Sequence, residues 1–316
     1  MPFLQIQDKN SRTFLRLNGP VPEHIAFIMD GNRRFAQKKG REATWGHRMG
    51  TQSMENILHW TYLAKIKHIT VYAFSTENFK RDQAEVESIF TLLEEMLFKI
   101  SNNEKILKKK IRIRLIGETD MLPEKTIAAF KELEEKTSAN DKMYLNVAVA
   151  YGGRNDIAQA FRKIAEKAVD GNDVSGNNGG NNSGNNSGSD VFGNSGGIDD
   201  INDDSTDAIN YDGNNDSDFD ITNDEISTYL FPYSDEIVPG VDFMIRTGEE
   251  HRTSNFLPWQ ANGNNAIVYF YSKYWPEFTF KDLFYLLRKY QKIEEERQKN
   301  DLKRMEKINT FFEQRD

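Results

Sequence analysis

The chain predicts an α/β fold: a single domain in which a mostly parallel six-stranded sheet is flanked by helices. Three observations carry that expectation. Six short apolar runs bounded by turn residues recur along the 316 residues, most intervals between them show helical periodicity, and one long tract shows neither pattern. Strand alternating with helix implies right-handed crossovers and a sheet covered on both faces.

The apolar runs lie at 24–29, 68–74, 111–116, 144–151, 241–245 and 266–271. After the first, Met54, Ile57, Leu58 and Leu63 recur on one helical face. After the second, Ile89, Phe90, Leu93, Leu97 and Ile100 do the same. The tract 170–225 is rich in Asn, Gly, Ser and Asp and nearly free of large apolar residues. It cannot bury enough surface to offset its ordering entropy, so it is expected to be a disordered insertion within one domain. The expected organisation is an N-terminal segment 1–19, a folded domain 20–290 carrying that insertion, and a charged helical tail 291–316. From 281 onward, Leu283, Leu286, Leu287 and Tyr290 at helical spacing suggest a helix or helical hairpin available to an interface. A solvated terminal helix is the competing reading.

Composition narrows the function classes. Hydrophobic residues make up 38% of the chain, which allows a sizeable core, and no apolar run approaches the ~20 residues of a membrane-spanning helix. The start MPFLQIQDKNSRTF lacks the apolar stretch of a secretory signal. With no cysteine there is no disulfide, thiolate metal site or cysteine nucleophile. The net charge is −8, yet 170–225 alone holds 13 Asp and 1 Glu without Lys or Arg, so the remainder carries +6. A mildly basic body suits a diphosphate ligand. Nucleic acid would suit that sign too, but no basic face with interleaved aromatics is present, and the cluster Lys105–Arg114 reads as a solvated helix end. Asp199–Asp203 and Asp203–Asp207 both spell DDxxD, the Mg²⁺-diphosphate pattern of all-helical prenyltransferases. In a Gly/Asn/Ser context that disfavours helix, the pattern is compositional, as are the Asn-Xaa-Ser triplets.

The chemistry sits after the strands. The first run stops at Asp30-Gly31-Asn32-Arg33-Arg34, a turn into a helix whose free N–H groups and dipole favour an anion. Gly46-His47-Arg48-Met49-Gly50 begins the next helix. Ser75-Thr76-Glu77-Asn78-Phe79-Lys80-Arg81 follows the second run, with Glu77 a candidate helix cap. Tyr151-Gly152-Gly153-Arg154-Asn155-Asp156 follows the fourth, and Arg246 through Phe256 (RTGEEHRTSNF) the fifth. Parallel strands put all these ends on one edge, where α/β proteins bind ligands. Arg34 and Arg81 come from early strands, and Arg246, Arg252 and Ser254 from late ones. More arginines than one phosphate needs suggests two anionic subsites. Asp30 suits a hard cation such as Mg²⁺, and His47 is a further candidate donor. His24, His59, His68 and His251 show no partner in sequence and are taken as structural.

MDGNRRFA, GHRMG, YAFSTENFKR, AYGGRNDI, RTGEEHRTSNFLPWQ and YWPEF, in that order over about 20–290, resemble the cis-prenyltransferases, the undecaprenyl and dehydrodolichyl diphosphate synthases. Asn32-Arg33-Arg34 looks more like the eukaryotic dehydrodolichyl enzymes than the bacterial ones. The resemblance implies repeated cis addition of isopentenyl diphosphate to an allylic starter such as farnesyl diphosphate, toward dolichol, with Mg²⁺ as cofactor. It places Asp30 at the metal and Asn78 near the reacting centre. It assigns Gly31, Asn32, Arg33, Arg34 and His47, with Ser75, Thr76, Glu77 and Arg81, to the allylic diphosphate. Phe35 and Phe79 would flank the starter's apolar chain. Arg246, Arg252, Thr253 and Ser254 would hold isopentenyl diphosphate. The product tunnel would run between the sheet and helices at about 47–66 and 85–107.

Two departures bear on assembly. Bacterial-type homodimers carry a metal-binding Glu in the late strand, where alignment on Trp275-Pro276 puts Ile267, and they end in an Arg-Xaa-Gly segment not found in KINTFFEQRD. Both resemble the catalytic subunit of a two-component enzyme. They imply a partner like the Nogo-B receptor that supplies the Arg-Xaa-Gly terminus and holds the chain peripherally at the cytosolic face of the endoplasmic reticulum. A family Arg before GHRMG is Ala43 here, with Arg41 close enough to substitute. The alternatives are a non-catalytic scaffold subunit, expected to lack the Asp-Gly-Asn turn and several arginines, and a nucleotide or nucleic-acid module, for which no P-loop or dinucleotide fingerprint is present.

Overall fold

β1 (His24–Ile28) lies at the centre of a six-stranded sheet in the order β3-β4-β2-β1-β5-β6, with every strand pair parallel. The computed structural model describes residues 17–173, 221–231, 238–262 and 266–313. The remaining strands are β2 (His68–Ser75), β3 (Ile111–Ile116), β4 (Met143–Tyr151), β5 (Phe243–Thr247) and β6 (Ile267–Tyr271). Every residue of β1, β4 and β5 is buried. A parallel sheet covered on both faces requires this, and it is why these strands read as mostly apolar runs, with His24, Asn146, Arg246 and Thr247 their buried polar members.

Helices follow the strands as crossovers. They are α1 (Asn32–Lys38), α2 (Ala43–Leu63), α3 (Gln83–Ser101), α4 (Glu104–Leu107), α5 (Glu124–Thr137), α6 (Gly153–Asp173), α7 (Asn223–Tyr229) and α8 (Phe280–Glu313). On one face Ile25, Phe27, Ile69 and Val71 pack against Met54 and Ile57 of α2, Phe90 and Leu97 of α3, and Leu283 and Leu287 of α8. On the other, Ala26, Tyr72, Ala148 and Met244 meet Phe256 and Leu257, and α6 and α7 clasp each other through Ala160, Ile164, Ile226 and Leu230.

Four expectations change. β5 begins two residues later than expected, at Phe243, and just before it the Asp242 carboxylate accepts from the N–H groups of Glu23 and His24 (2.7 and 2.9 Å). Arg246 therefore lies inside β5, beside Ile28 of β1 and Phe270 of β6. The basic cluster is not a solvated helix end throughout: Arg114 is buried on β3, its guanidinium 5.1 Å from the Tyr144 ring. At the C-terminus α8 is one continuous helix, and Leu283, Leu286, Leu287 and Tyr290 are core rather than interface residues. The ends of the expected insertion, 170–173 and 221–225, are seen, the first wholly and the second mostly within helix. Residues 174–220, with both DDxxD patterns, lie outside the described residues. Among the histidines, His24 bonds the Pro239 carbonyl and the Thr70 hydroxyl (both 2.8 Å) and His68 stacks on Tyr144, as structural residues do.

Strand order reverses at β1, with β2 on one side and β5 on the other. Such a switch point opens a crevice beyond the strands' C-terminal ends.

Candidate active site

In that crevice Asp30, two residues past β1, meets Arg246 of β5. The Arg246 guanidinium donates to Asp30 Oδ2 at 2.8 Å, and its other terminal nitrogen donates to the Arg252 carbonyl and to Ser254 Oγ (2.7 Å). Arg246 is 5% exposed, and Asp30 is the carboxylate that compensates its buried charge. The second Asp30 oxygen accepts from the Gly31 N–H (2.6 Å) and faces Arg34 at 3.1 Å. One carboxylate thus ties an arginine from each end of the chain.

Glycine placement makes the turn possible. Gly31 has φ 102°, open to glycine, and a Cβ there would lie 2.7 Å from the Tyr274 ring. A Cβ on Gly50 would overlap the Asn32 amide oxygen, and one on Gly46 the Asn32 carbonyl. The GHRMG glycines are therefore where α2 crosses α1, and they set the height of the anion-facing turn. Opposite, Ser254 and Asn255 adopt φ of 50° and 59°. Bonds from the Tyr72 hydroxyl to the Ser254 carbonyl (3.4 Å), and from the Arg154 N–H to the Asn255 side chain (3.0 Å), hold that strained loop. Burial pushes the Tyr72 phenol well up, so it stays a neutral donor.

A cavity of about 1120 Å³ takes in Asp30, Gly31, Asn32, Arg33, Arg34, His47, Ser75, Glu77, Asn78, Arg81, Arg246, Arg252, Thr253 and Ser254. The four arginines expected at one rim, Arg34, Arg81, Arg246 and Arg252, are all there. Three expected residues do not line it. Thr76 turns to Glu77 (3.4 Å), Phe35 stacks on Trp45 (centroids 5.4 Å), and Phe79 packs edge-on to Phe74 beside Phe90. Arg41 is exposed and also outside the lining. Glu77 is not a helix cap: Ser75 and Asn78 form a reciprocal capping box for the 3₁₀ turn Thr76–Lys80, and Asp82 caps α3. Asn78 accepts the Ser75 N–H (3.1 Å) in doing so.

Sequence reasoning assigned no role to Arg154, Glu250 or Asn255, which also line the cavity, although Arg154 stands in a quoted motif. It also missed Glu85, behind the wall, whose only signal is its i, i+4 spacing from Arg81. Burial pushes the His47 imidazole below its ordinary value, Glu85 opposing and Arg81 and Arg33 reinforcing.

The cavity adjoins a narrow second one of about 90 Å³ lined mostly by apolar residues, among them Met54, Val71, Leu92, Leu93, Met96 and Val147. Met29, Asn32, His47, Ala73 and Ile89 line both. The slot therefore leads from the charged mouth to mid-sheet, between α2 and α3, where the tunnel was expected. Among the described residues no three acidic or histidine side chains form a metal cluster. A Mg²⁺ held by one carboxylate and the oxygens of bound phosphates fits nonetheless, with Asp30, 29% exposed, as the protein ligand.

Fold and site together define an α/β enzyme for polyanionic ligands with apolar tails. Residues 28–298 match the prenyltransferase family described as "Putative undecaprenyl diphosphate synthase". The tritrans,polycis-undecaprenyl-diphosphate synthase (geranylgeranyl-diphosphate specific) of Methanosarcina mazei is 37% identical over 296 residues, covering 94% of this chain and 85% of that protein. Its namesake in Archaeoglobus fulgidus is 36% identical, covering 86% and 90%. Among solved structures, lavandulyl diphosphate synthase from Lavandula x intermedia, in complex with dimethylallyl diphosphate, aligns with a TM-score of 0.66 at 28% identity, over 86% of this chain and 95% of that one. A probable undecaprenyl diphosphate synthase from Campylobacter jejuni shares the fold at TM-score 0.58 and 24% identity, over 86% and 95%. The chain belongs to the cis-prenyltransferase family. It is a prenyltransferase that elongates prenyl chains in cis, of a family generally dependent on Mg²⁺.

Proposed function

We propose that this enzyme condenses isopentenyl diphosphate repeatedly onto an allylic starter to make a long polyprenyl diphosphate, with its two diphosphates in two subsites that share Asp30. The carrying observation is the Asp30–Arg246 pair at 2.8 Å, with Arg34, Arg81 and Arg252 on the same cavity. The allylic diphosphate lies over Gly31 and the first turn of α1, where N–H groups, Asn32, Arg33, Arg34, His47 and Arg81 meet it. Isopentenyl diphosphate lies against Arg246, Arg252, Thr253 and Ser254.

The allylic C–O bond breaks as the terminal alkene carbon of isopentenyl diphosphate bonds to the allylic carbon. A proton then leaves that unit and diphosphate departs. Negative charge grows on the departing oxygens, so donors fixed around them stabilise the transition state more than the ground state, each worth about 10²–10³ in rate. Bound Mg²⁺, held by Asp30 and the phosphates, would supply Lewis-acid stabilisation of the same charge. The lengthening chain enters the slot between α2 and α3.

Farnesyl diphosphate is the starter that the family resemblance implies. The archaeal relatives are named for geranylgeranyl diphosphate, which favours that as a second reading. Kinship with the eukaryotic dehydrodolichyl catalytic subunit, serving dolichol and glycosylation, is proposed from Asn32-Arg33-Arg34 and from Ile267 in β6. With it we propose a Nogo-B receptor-like partner supplying an Arg-Xaa-Gly terminus, and a peripheral place at the endoplasmic reticulum. The test is incubation with labelled isopentenyl diphosphate, Mg²⁺ and each starter, with and without the partner, followed by product sizing. Asp30→Ala should abolish incorporation while circular dichroism stays native. Retained turnover removes Asp30 from the mechanism, and full activity without a partner refutes the heteromer.

A further inference from the structure

Glu85, in the first turn of α3, is surrounded by donors from three other segments. Arg81, just after the 3₁₀ turn, donates to its Oε1 at 3.0 Å, and His47 Nε2 of α2 stands 3.3 Å from the same oxygen. Arg33 of α1 approaches Oε2 at 3.7 Å. The Glu85 side chain is 14% exposed and does not line the cavity, whereas all three of its partners do. It therefore sits behind the donors.

We propose that Glu85 is the positioning residue of the allylic-diphosphate cradle, the carboxylate that fixes Arg33, His47 and Arg81 as one donor set. This rests on those three side chains receiving the allylic diphosphate. Two guanidinium groups converging on one pocket repel each other, and together with the imidazole they carry large rotamer freedom. Both effects oppose a preformed cradle. A carboxylate behind them offsets the repulsion and holds each side chain in place, leaving the remaining N–H groups of the two arginines for phosphate. Glu85 is also the group that raises the basicity of His47 against burial and the two arginines. The isopentenyl subsite is braced separately, by Arg246 bonded to the Arg252 carbonyl and Ser254 Oγ, so losing Glu85 should be felt at one subsite.

The test is steady-state kinetics on the full chain with Mg²⁺ and whichever starter supports incorporation. Glu85→Ala is expected to raise KM for the starter about tenfold or more while KM for isopentenyl diphosphate stays within about twofold. Glu85→Gln, which keeps an acceptor oxygen, should recover most of the loss. An equal rise in both KM values marks a general structural role and overturns the proposal. So does no change, or a lower starter KM, which would make Glu85 a competitor of the ligand. Arg81→Ala runs in parallel. If it leaves the starter KM unchanged, the subsite assignment fails whatever Glu85 does; if it raises that KM and Glu85→Ala does not, only the role of Glu85 fails. Should Glu85→Ala not fold, Glu85→Asp withdraws the carboxylate by one methylene and must show the same selective rise.

Discussion

Gly46→Ala separates stability from catalysis at the α1–α2 crossing. The added Cβ would lie 2.9 Å from both the Ala36 Cβ and the Asn32 carbonyl carbon, and it would overlap the Asn32 carbonyl oxygen. Ordinary carbon–carbon contact is about 3.5–4.0 Å, so the helices must part by roughly 1 Å. Overpacking of this kind costs about 1–3 kcal/mol, and replacing a mid-helix glycine by alanine returns about 1 kcal/mol. The net is roughly 0–2 kcal/mol, or a fall in Tm of up to about 8 °C. The catalytic consequence is larger, because α1 carries Asn32, Arg33 and Arg34: displacing reacting groups by roughly 1 Å can cost about 100-fold. Calorimetry should therefore find a folded protein, and initial-rate assays with labelled isopentenyl diphosphate should find kcat/KM for the starter down by about two decades. Activity within about threefold of the parent would refute the claim that this crossing sets the cradle.

Two further outcomes follow, one from a buried carboxyl and one from a residue lining both cavities. Asp156 of α6 accepts from Tyr151, Gln260 and the Phe231 N–H, and burial raises its pKa to about 6. The folded state then holds its proton more tightly than the unfolded chain, so this stability is full below about pH 4 and lost as pH rises through about 6. The shift corresponds to about 3 kcal/mol, and urea titrations from pH 4 to 8 should show Asp156→Asn less pH-dependent than the parent; parallel curves would exclude the assignment. Ala73 stands where the charged cavity meets the apolar slot, so Ala73→Phe should give shorter products at near-normal starter KM, read by chromatography; unchanged product length would separate slot from product.

Much of this was legible in the sequence, for a physical reason. Parallel strands buried on both faces must be largely apolar, so β1, β2 and β4 stand out as runs, while β3 at the sheet edge alternates Ile with Arg, and the motifs after the strands fall on one edge by topology alone. What was misread involves charges taken inside. Arg246 looked like the residue that ends β5, because nothing local reveals that Asp30, 216 positions away, neutralises it. Arg114 looked solvated for the same reason. Glu85 looked like an ordinary acid on a helix face, since its partners come from three separate segments. Phe35 and Phe79 carried roles transferred from the family, whereas Phe35 packs on Trp45 and Phe79 on Phe74, outside the cavity lining.

The α6–α7 clasp has a practical corollary. α6 starts at the mouth with Gly153 and runs toward the opposite rim; Lys167, roughly 20 Å along its axis, meets Glu225 of α7 at 3.9 Å. This contact between α6 and α7 thus lies remote from the chemistry. Exposed Lys167 at this contact is therefore a natural position for attaching a tag or reporter away from the enzyme's mouth.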